Sequence, residues 1–322
     1  MSWCVLCRHV WASHKIERVT HALPLRHFLL ALLVVAVWGS NFVVIKNALL
    51  HLPPLLFAAL RFSVAFLPAA FFLRRPDVPL RNLAAYGCLI GVVQFGALYI
   101  AIDGQIAPGL ASLVVQTQVF FTIGLSMRLS GERVQTFQWV ALLLAVSGIG
   151  VIGAHTDAST TGWGLLLVLL AALGWSLGNL VGKQAGPVNM LAYVVWSSVF
   201  AVPPLLVLSW LTEGWPAMQA GVLQADAFTW AAVAWQAWGN TLFGYAAWGW
   251  LLARHPASLI TPMALLVPVF GMGASAWLLA EPLPDWKWVA ATLVMAGLSL
   301  NVLWPHWRAS RVAKDVEGER SH

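Results

Sequence analysis

The side chains that could do chemistry inside this chain are mostly neutral amides placed in long apolar segments. Gln94 lies near the middle of one such segment, and Asn240 lies at the equivalent depth of another, 146 positions later. A buried amide is costly in hydrocarbon unless it has a partner. We therefore expect the two amides to line a cavity at mid-membrane depth, the alternative being that each joins neighbouring helices.

Other polar and aromatic side chains occur in the same apolar segments. Arg61 lies well inside one of them and could bind an anionic group such as a carboxylate, or could instead reach the interface or cap a helix. Lys46, near the end of its segment, is interpreted as an anchor at the interface. The residues predicted to contact a substrate are Trp38, Asn41, Arg61, Gln94, Gln116, Gln118, Trp175, Asn179, Asn240 and Tyr245.

Motifs for covalent or metal catalysis do not occur in the sequence: there is no G-x-S-x-G, P-loop or H-E-x-x-H. We therefore predict no enzyme, no catalytic residue, no cofactor and no metal. Cys4 and Cys7 form an isolated C-x-x-C, which we assign to a terminal tail because no second pair completes a zinc site. The apolar segments contain no Asp or Glu, with Asp103 the nearest acid, so coupling to protons through a buried carboxylate is not expected.

The composition requires a membrane around these segments. The chain has 322 residues, of which 60% are hydrophobic and 9% charged, with a mean hydropathy of +0.78; a soluble protein is about 25% charged. The predicted fold is all-α and integral to the membrane, with ten transmembrane helices. Their predicted ranges are 28–50, 55–73, 82–102, 108–127, 134–153, 162–183, 189–211, 228–252, 258–280 and 286–304.

The basic residues predict the orientation. With ten spans and both termini cytoplasmic, fifteen of the 18 Lys and Arg fall on the inside and only Lys287 falls in an outside loop. Such an excess indicates the cytoplasmic side. Because these residues are spread over short loops rather than gathered on one face, nucleic acid is excluded as a partner despite the net charge of +6.

An internal repeat predicts the arrangement of the spans. Glu132, Trp139 and Gly148 recur as Glu281, Trp288 and Gly297, 149 positions later in each case. Two repeats of five spans must have opposite topology, as in many secondary transporters. The predicted domains are a basic cytoplasmic tail at 1–27, a first five-helix repeat at 28–153, a second at 162–304 and a cytoplasmic tail at 305–322. The first tail differs so much from the rest that Val19 is an alternative start.

Small residues and repeated acids add two further expectations. The motif Gly87-x-x-x-Gly91, and the series Gly174, Gly178 and Gly182, should allow close helix contact. Glu132 and Glu281 each precede a span, where a carboxylate favours the positive end of the following helix; the alternative is a role in gating.

The motifs of this chain resemble those of the EamA-type proteins of the drug/metabolite transporter superfamily. The similar stretches are V-W-G-S-N-F-V-V-I-K at 37–46, P-P-L-L-F-A-A-L-R-F at 53–62, P-G-L-A-S-L-V at 108–114, W-S-L-G-N at 175–179 and P-M-A-L-L-V-P-V-F-G at 262–271. They are most similar to the branch of bacterial O-acetylserine/cysteine exporters. The resemblance implies an inner-membrane exporter of small amino-acid-like metabolites that works by alternating access.

Two other functions fit the sequence less well than export of small metabolites. A drug or nucleotide-sugar exporter is the alternative within transporters, although a phosphate-bearing substrate would call for several cations and only Arg61 is suitably placed. A membrane-embedded lipid enzyme would need a cluster of catalytic groups at one interface, which the sequence lacks. The expected partners are a small-molecule metabolite and the lipid bilayer, and a homodimer is left open.

Overall fold

A computed structural model describes residues 23–130, 135–157 and 159–319, and within these ranges helices are the only extended regular elements. A helical segment occurs at each of the ten predicted positions, and we number these segments as spans one to ten. They are Leu25–Ala48, Pro54–Ala70, Leu80–Ile102, 108–130, Thr136–Ala154, Gly162–Gln184, Met190–Thr212, 227–254, 257–278 and Asp285–Glu319.

Most of these helices suit a bilayer. Among the described residues, eight are long and apolar enough to cross a membrane. Span two, at 17 residues, is a shorter apolar helix. Span eight is continuously helical but carries Gln236, Asn240 and Thr241 in its middle. The predicted all-α membrane fold is therefore confirmed, with the number of full-length spans approximate.

The contacts between spans follow the symmetry of two inverted repeats. Spans two and seven pack together, as do spans four and nine, and spans five and ten. Span one packs against span nine, and the equivalent span six packs against span four. Likewise, spans three and six pair as spans eight and one do. Each contact thus maps onto itself or onto another when the halves are exchanged, as predicted from the repeated sequence.

Spans five and ten show this symmetry at atomic detail. A Cβ added to Gly148 would lie 3.0 Å from the Ala290 carbonyl oxygen, and one added to Gly297 would lie 2.5 Å from that of Ala141. Ala141 and Ala290 are themselves equivalent in the repeat. The two glycines therefore make equivalent contacts, which a pseudo-twofold axis relates to each other.

The predicted glycine motifs allow close approach to span three from two sides. A Cβ on Gly87 would lie 2.1 Å from the carbonyl oxygen of Ser197, on span seven. On the other side, a Cβ on Gly174 would meet Val93 at 2.8 Å, and one on Gly178 would meet Ile90 at 2.5 Å. At Gly87 the added atom would meet the backbone of span seven, so only a residue without a side chain permits this approach.

Four spans are interrupted at symmetric positions. Spans three and eight each contain a nine-residue π-helix, at Cys88–Gly96 and Trp235–Phe243. Spans four and nine each contain a 3₁₀ segment, at Val115–Thr117 and Thr261–Leu266. The break in span nine follows from Pro262, whereas no proline lies next to the break in span four or inside either π-helix. Such irregular turns are frequent at functional sites.

Three further differences from the sequence predictions concern connections and ends. A ten-residue helix, Trp215–Gln224, begins with a proline in its first turn and occupies a region predicted as a loop. Span ten continues past the predicted boundary at 304 to Glu319, with Pro305 inside it. Cys4, Cys7, Val19 and Glu132 lie outside the described residues, so the predictions for them stay predictions.

Candidate functional site

Arg61 lies in the protein interior, on span two. Its side chain is 1% exposed, and Nη1 donates to the Tyr99 hydroxyl at 2.9 Å while Nη2 donates to Oγ1 of Thr241 at 2.8 Å. The guanidinium lies over the Phe95 ring, 4.0 Å from its centroid, and over the Phe62 ring at 4.8 Å. Arg61 therefore neither reaches the interface nor caps a helix, which removes two of its three predicted roles.

The two predicted amides lie in the two π-helices. Gln94 is in the π-helix of span three and Asn240 in that of span eight, with 5% and 7% of the residue exposed. Within the described part of the chain, neither side-chain amide forms a hydrogen bond. A helix-joining role would require such a bond, so the geometry favours the other prediction, a polar surface available to a ligand.

Span one contributes two predicted residues to the same region through span eight. The Trp38 indole nitrogen donates to the Asn240 carbonyl oxygen at 3.1 Å, and its ring lies 5.9 Å from that of Tyr245. Asn41 donates through Nδ2 to Oε1 of Gln236 at 3.3 Å, and its own Oδ1 is buried and has no partner among the residues that the structure describes. The structure therefore brings Trp38, Asn41, Asn240 and Tyr245 together around one π-helix.

The remaining predicted residues divide between two other locations. Nε2 of Gln116 donates to the Ala264 carbonyl oxygen at 3.3 Å, which joins the two 3₁₀ segments across the repeats. Oε1 of Gln118 accepts from Nδ2 of Asn179 at 3.4 Å, but Asn179 is exposed. Trp175 is half-buried and packs against apolar side chains. These contacts account for Gln116, Gln118, Trp175 and Asn179 without a ligand, so they support a substrate role less directly.

Several residues of this region were missed by the sequence reasoning. Tyr99 and Thr241 hold Arg61, Phe95 stacks on it, and Gln236 pairs with Asn41. Tyr99 could have been found, because it corresponds to Tyr245 in the repeat. Gln236 corresponds to the apolar Ile90, so the symmetry gave no indication of it.

Two carboxylates of the second repeat bind helix N-termini of the first. Glu281 accepts from the backbone N–H of Gly109 at 3.0 Å and from Nζ of Lys287 at 2.9 Å, in the one ion pair found among the described residues. Glu213 accepts from the backbone N–H groups of Leu55 and Leu56 at 2.7 and 3.3 Å. Glu281 thus stabilises the start of span four, and the prediction that it serves the span following it in sequence is wrong.

One cleft lies away from the predicted residues. It measures about 630 Å³ between the ends of spans two and seven and is lined by Phe72, Leu73, Arg74, Pro76, Asp77, Ala185, Pro187, Val188, Asn189 and Ala192. None of the ten candidate residues lines it. Lys46 donates to the Ile102 carbonyl oxygen at 3.2 Å, and Asp103 is exposed. Within the described ranges, no cluster of three or more His, Cys, Asp and Glu could hold a metal ion.

An inverted pair of helical repeats around buried neutral polar groups is the architecture of a secondary transporter. The model of the EamA-like transporter family matches the chain twice, at residues 25–154 and 162–303. The chain belongs to this family, which confirms the resemblance noted above and makes it a transporter rather than an enzyme.

Two bacterial relatives cover nearly the same length. A "Probable amino-acid metabolite efflux pump" of Salmonella typhimurium is 41% identical over 295 residues, which is 88% of this chain and 97% of the relative. A protein of the same name from Escherichia coli strain K12 is 39% identical over 87% of this chain and 95% of its own. One crystal structure has a TM-score of 0.58 at 18% identity, covers 87% of this chain and 96% of its own, and is similar in fold.

Replacing either free amide should impair transport without impairing folding. Because neither the Gln94 nor the Asn240 side chain has a hydrogen-bond partner among the described residues, Gln94→Ala and Asn240→Ala remove no hydrogen bond seen in this part of the chain. We expect about a tenfold or larger drop in efflux rate, the effect of losing one or two ligand hydrogen bonds, at unchanged membrane abundance. Efflux from cells and immunoblots of membranes measure the two quantities, and normal efflux from both variants would exclude the amides from the site.

Proposed function

We propose that the protein exports small amino-acid-like metabolites, such as O-acetylserine or cysteine, across the bacterial inner membrane. The observation that carries this proposal is the pair of free amides in symmetric π-helices, next to one buried cation. A set of neutral polar side chains with a single positive group suits a small zwitterion. The names of the two relatives, at about 40% identity over most of the chain, support the same substrate class.

Transport takes place by alternating access, one repeat moving against the other around the central region. The 3₁₀ segments of spans four and nine and the π-helices of spans three and eight are the places where helices can bend. The excess of Lys and Arg in the loops of one side supports cytoplasmic termini. A relative from Escherichia coli K12, 28% identical over 89% of this chain, is named an "Uncharacterized inner membrane transporter YedA", which supports the same membrane.

The driving force is the substrate's own gradient or exchange, because the ten spans hold no mid-membrane carboxylate to carry a proton. A homodimer is compatible with this function but not required by it. The substrate-contacting set includes all ten residues predicted from sequence, with Arg61, Gln94, Asn240, Trp38, Asn41 and Tyr245 forming its centre.

Counterflow in proteoliposomes tests the function. Vesicles containing the purified protein are loaded with unlabelled cysteine or O-acetylserine, and uptake of the labelled compound is followed with and without a pH gradient. We expect saturable counterflow that the pH gradient leaves unchanged. Protein-free vesicles are the control. Absence of counterflow with amino acids, together with uptake of a drug or nucleotide sugar, would contradict the proposal.

A further inference from the structure

Arg61 places a positive charge in the protein interior with no carboxylate within ion-pair distance among the described residues. A guanidinium has five N–H donors. Its two hydrogen bonds go to neutral hydroxyl groups, and its Nε is buried without a partner. An isolated buried charge is destabilising, so a charged side chain retained inside a span indicates a functional site.

The guanidinium connects the two π-helices beside the free amides. It stacks on Phe95, the residue after Gln94, and donates to Thr241, the residue after Asn240. Arg61 is therefore anchored to each π-helix at the position next to its unpartnered amide. The cation is therefore held by the residues that directly follow the two buried amides in the chain.

We propose that Arg61 binds the carboxylate of the exported metabolite and that the amine of the metabolite is contacted only by neutral groups. This inference rests on the function proposed above and specifies how its substrate is recognised. The consequence is a requirement for the carboxylate: acids with a blocked amine are accepted, whereas amines with a blocked carboxylate are rejected.

The guanidinium is suited to a carboxylate in shape as well as in charge. Its planar fork can donate two parallel hydrogen bonds to the two carboxylate oxygens, and such bonds are stronger than those between neutral groups. Tyr99, Thr241 and the Phe95 ring fix the plane of the fork. Binding would supply the missing negative charge and a partner for Nε.

For a positively charged amine, the predicted spans offer no acidic side chain as a partner. The ten predicted spans contain no Asp or Glu, so an ammonium group there would contact amide oxygens, such as those of Gln94 and Asn240, or the ring of Trp38 or Tyr245. A neutral N-acyl group can donate to the same amide oxygens. Transport should therefore tolerate loss of the ammonium charge but not loss of the carboxylate.

Competition in the counterflow assay tests this requirement. Uptake of labelled cysteine under reducing conditions is measured against cysteine, N-acetylcysteine and cysteine methyl ester. We expect N-acetylcysteine to compete within about threefold of cysteine and the ester to compete at least about tenfold more weakly, the effect of losing a charged hydrogen bond. If the ester competes as well as cysteine, or N-acetylcysteine does not compete, the inference is wrong.

Variants connect the selectivity to Arg61. Arg61→Gln should lose saturable counterflow, and Arg61→Lys, which keeps the charge but not the fork, should retain weak transport with the same preference for acids. Lys46→Gln removes another cation, bound to a carbonyl group at the end of span three, and should leave the preference unchanged. A selective Arg61→Gln variant would overturn the inference. If Arg61→Gln does not fold, the competition with wild-type protein still decides, and absence of cysteine counterflow by the wild type would instead contradict the proposed function.

Discussion

Exchanging Lys287 for Met lowers the thermal stability of the protein more than exchanging Lys287 and Glu281 together. The side chains of this pair are 3% and 7% exposed, with Nζ and Oε1 2.9 Å apart. Lys287→Met leaves the Glu281 carboxylate buried, with Gly109 N–H as its remaining donor. Removing one partner of a buried ion pair destabilises by about 3–5 kcal/mol, whereas replacing both with neutral groups is often harmless.

The measurement is thermal unfolding of the detergent-purified protein for Lys287→Met, Glu281→Gln and the double variant. In the double variant, the Gln carbonyl oxygen can still accept from Gly109. Asp285→Asn, an exposed charge in the first turn of the same helix, is the matched control and should change little. A loss in the double variant equal to the sum of the two single losses would show that the pair is not energetically coupled and would contradict the prediction.

Adding one methyl group to Gly87 reduces the amount of folded protein, whereas the same change at Gly150 does not. The new Cβ would lie 2.1 Å from the Ser197 carbonyl oxygen, and backbone atoms cannot yield as a flexible side chain can. Spans three and seven would have to separate, at a cost of about 1–3 kcal/mol or more. The variant is Gly87→Ala, and the measurement is the monodisperse yield in detergent.

The control for this prediction should change in the opposite direction. Gly150, in span five, has no atom within 4 Å of the position of an added Cβ. Gly150→Ala should therefore stabilise the helix by about 0.5–1 kcal/mol through its higher helix propensity. Similar yields of Gly87→Ala and wild type would mean that the two spans are less closely packed than the structure shows.

Local patterns and the internal repeat predicted a large part of this architecture. The apolar segments predicted the positions of the helices, and the Gly87-x-x-x-Gly91 motif predicted a close helix contact. The match of Gln94 to Asn240 identified the two amides that the structure leaves free. These features depend on neighbours in sequence or on symmetry, which a single sequence contains.

Features that depend on contacts between residues far apart in the chain could not be predicted from the sequence. The partners of Arg61 are 38 and 180 positions away, and the sequence does not say which hydroxyl groups face it. The π-helices arise in segments with no proline inside them. Glu281 precedes span ten but binds the start of span four, because helix ends that meet in space need not be consecutive in the chain.

The reciprocal contact of Gly148 and Gly297 has a consequence for assembly. Gly148 contacts Ala290 and Gly297 contacts Ala141, so at this point the two halves meet through equivalent residues, as identical subunits do in an isologous interface. Two polypeptides separated between residues 155 and 161 would carry matching faces and could associate without a covalent linker.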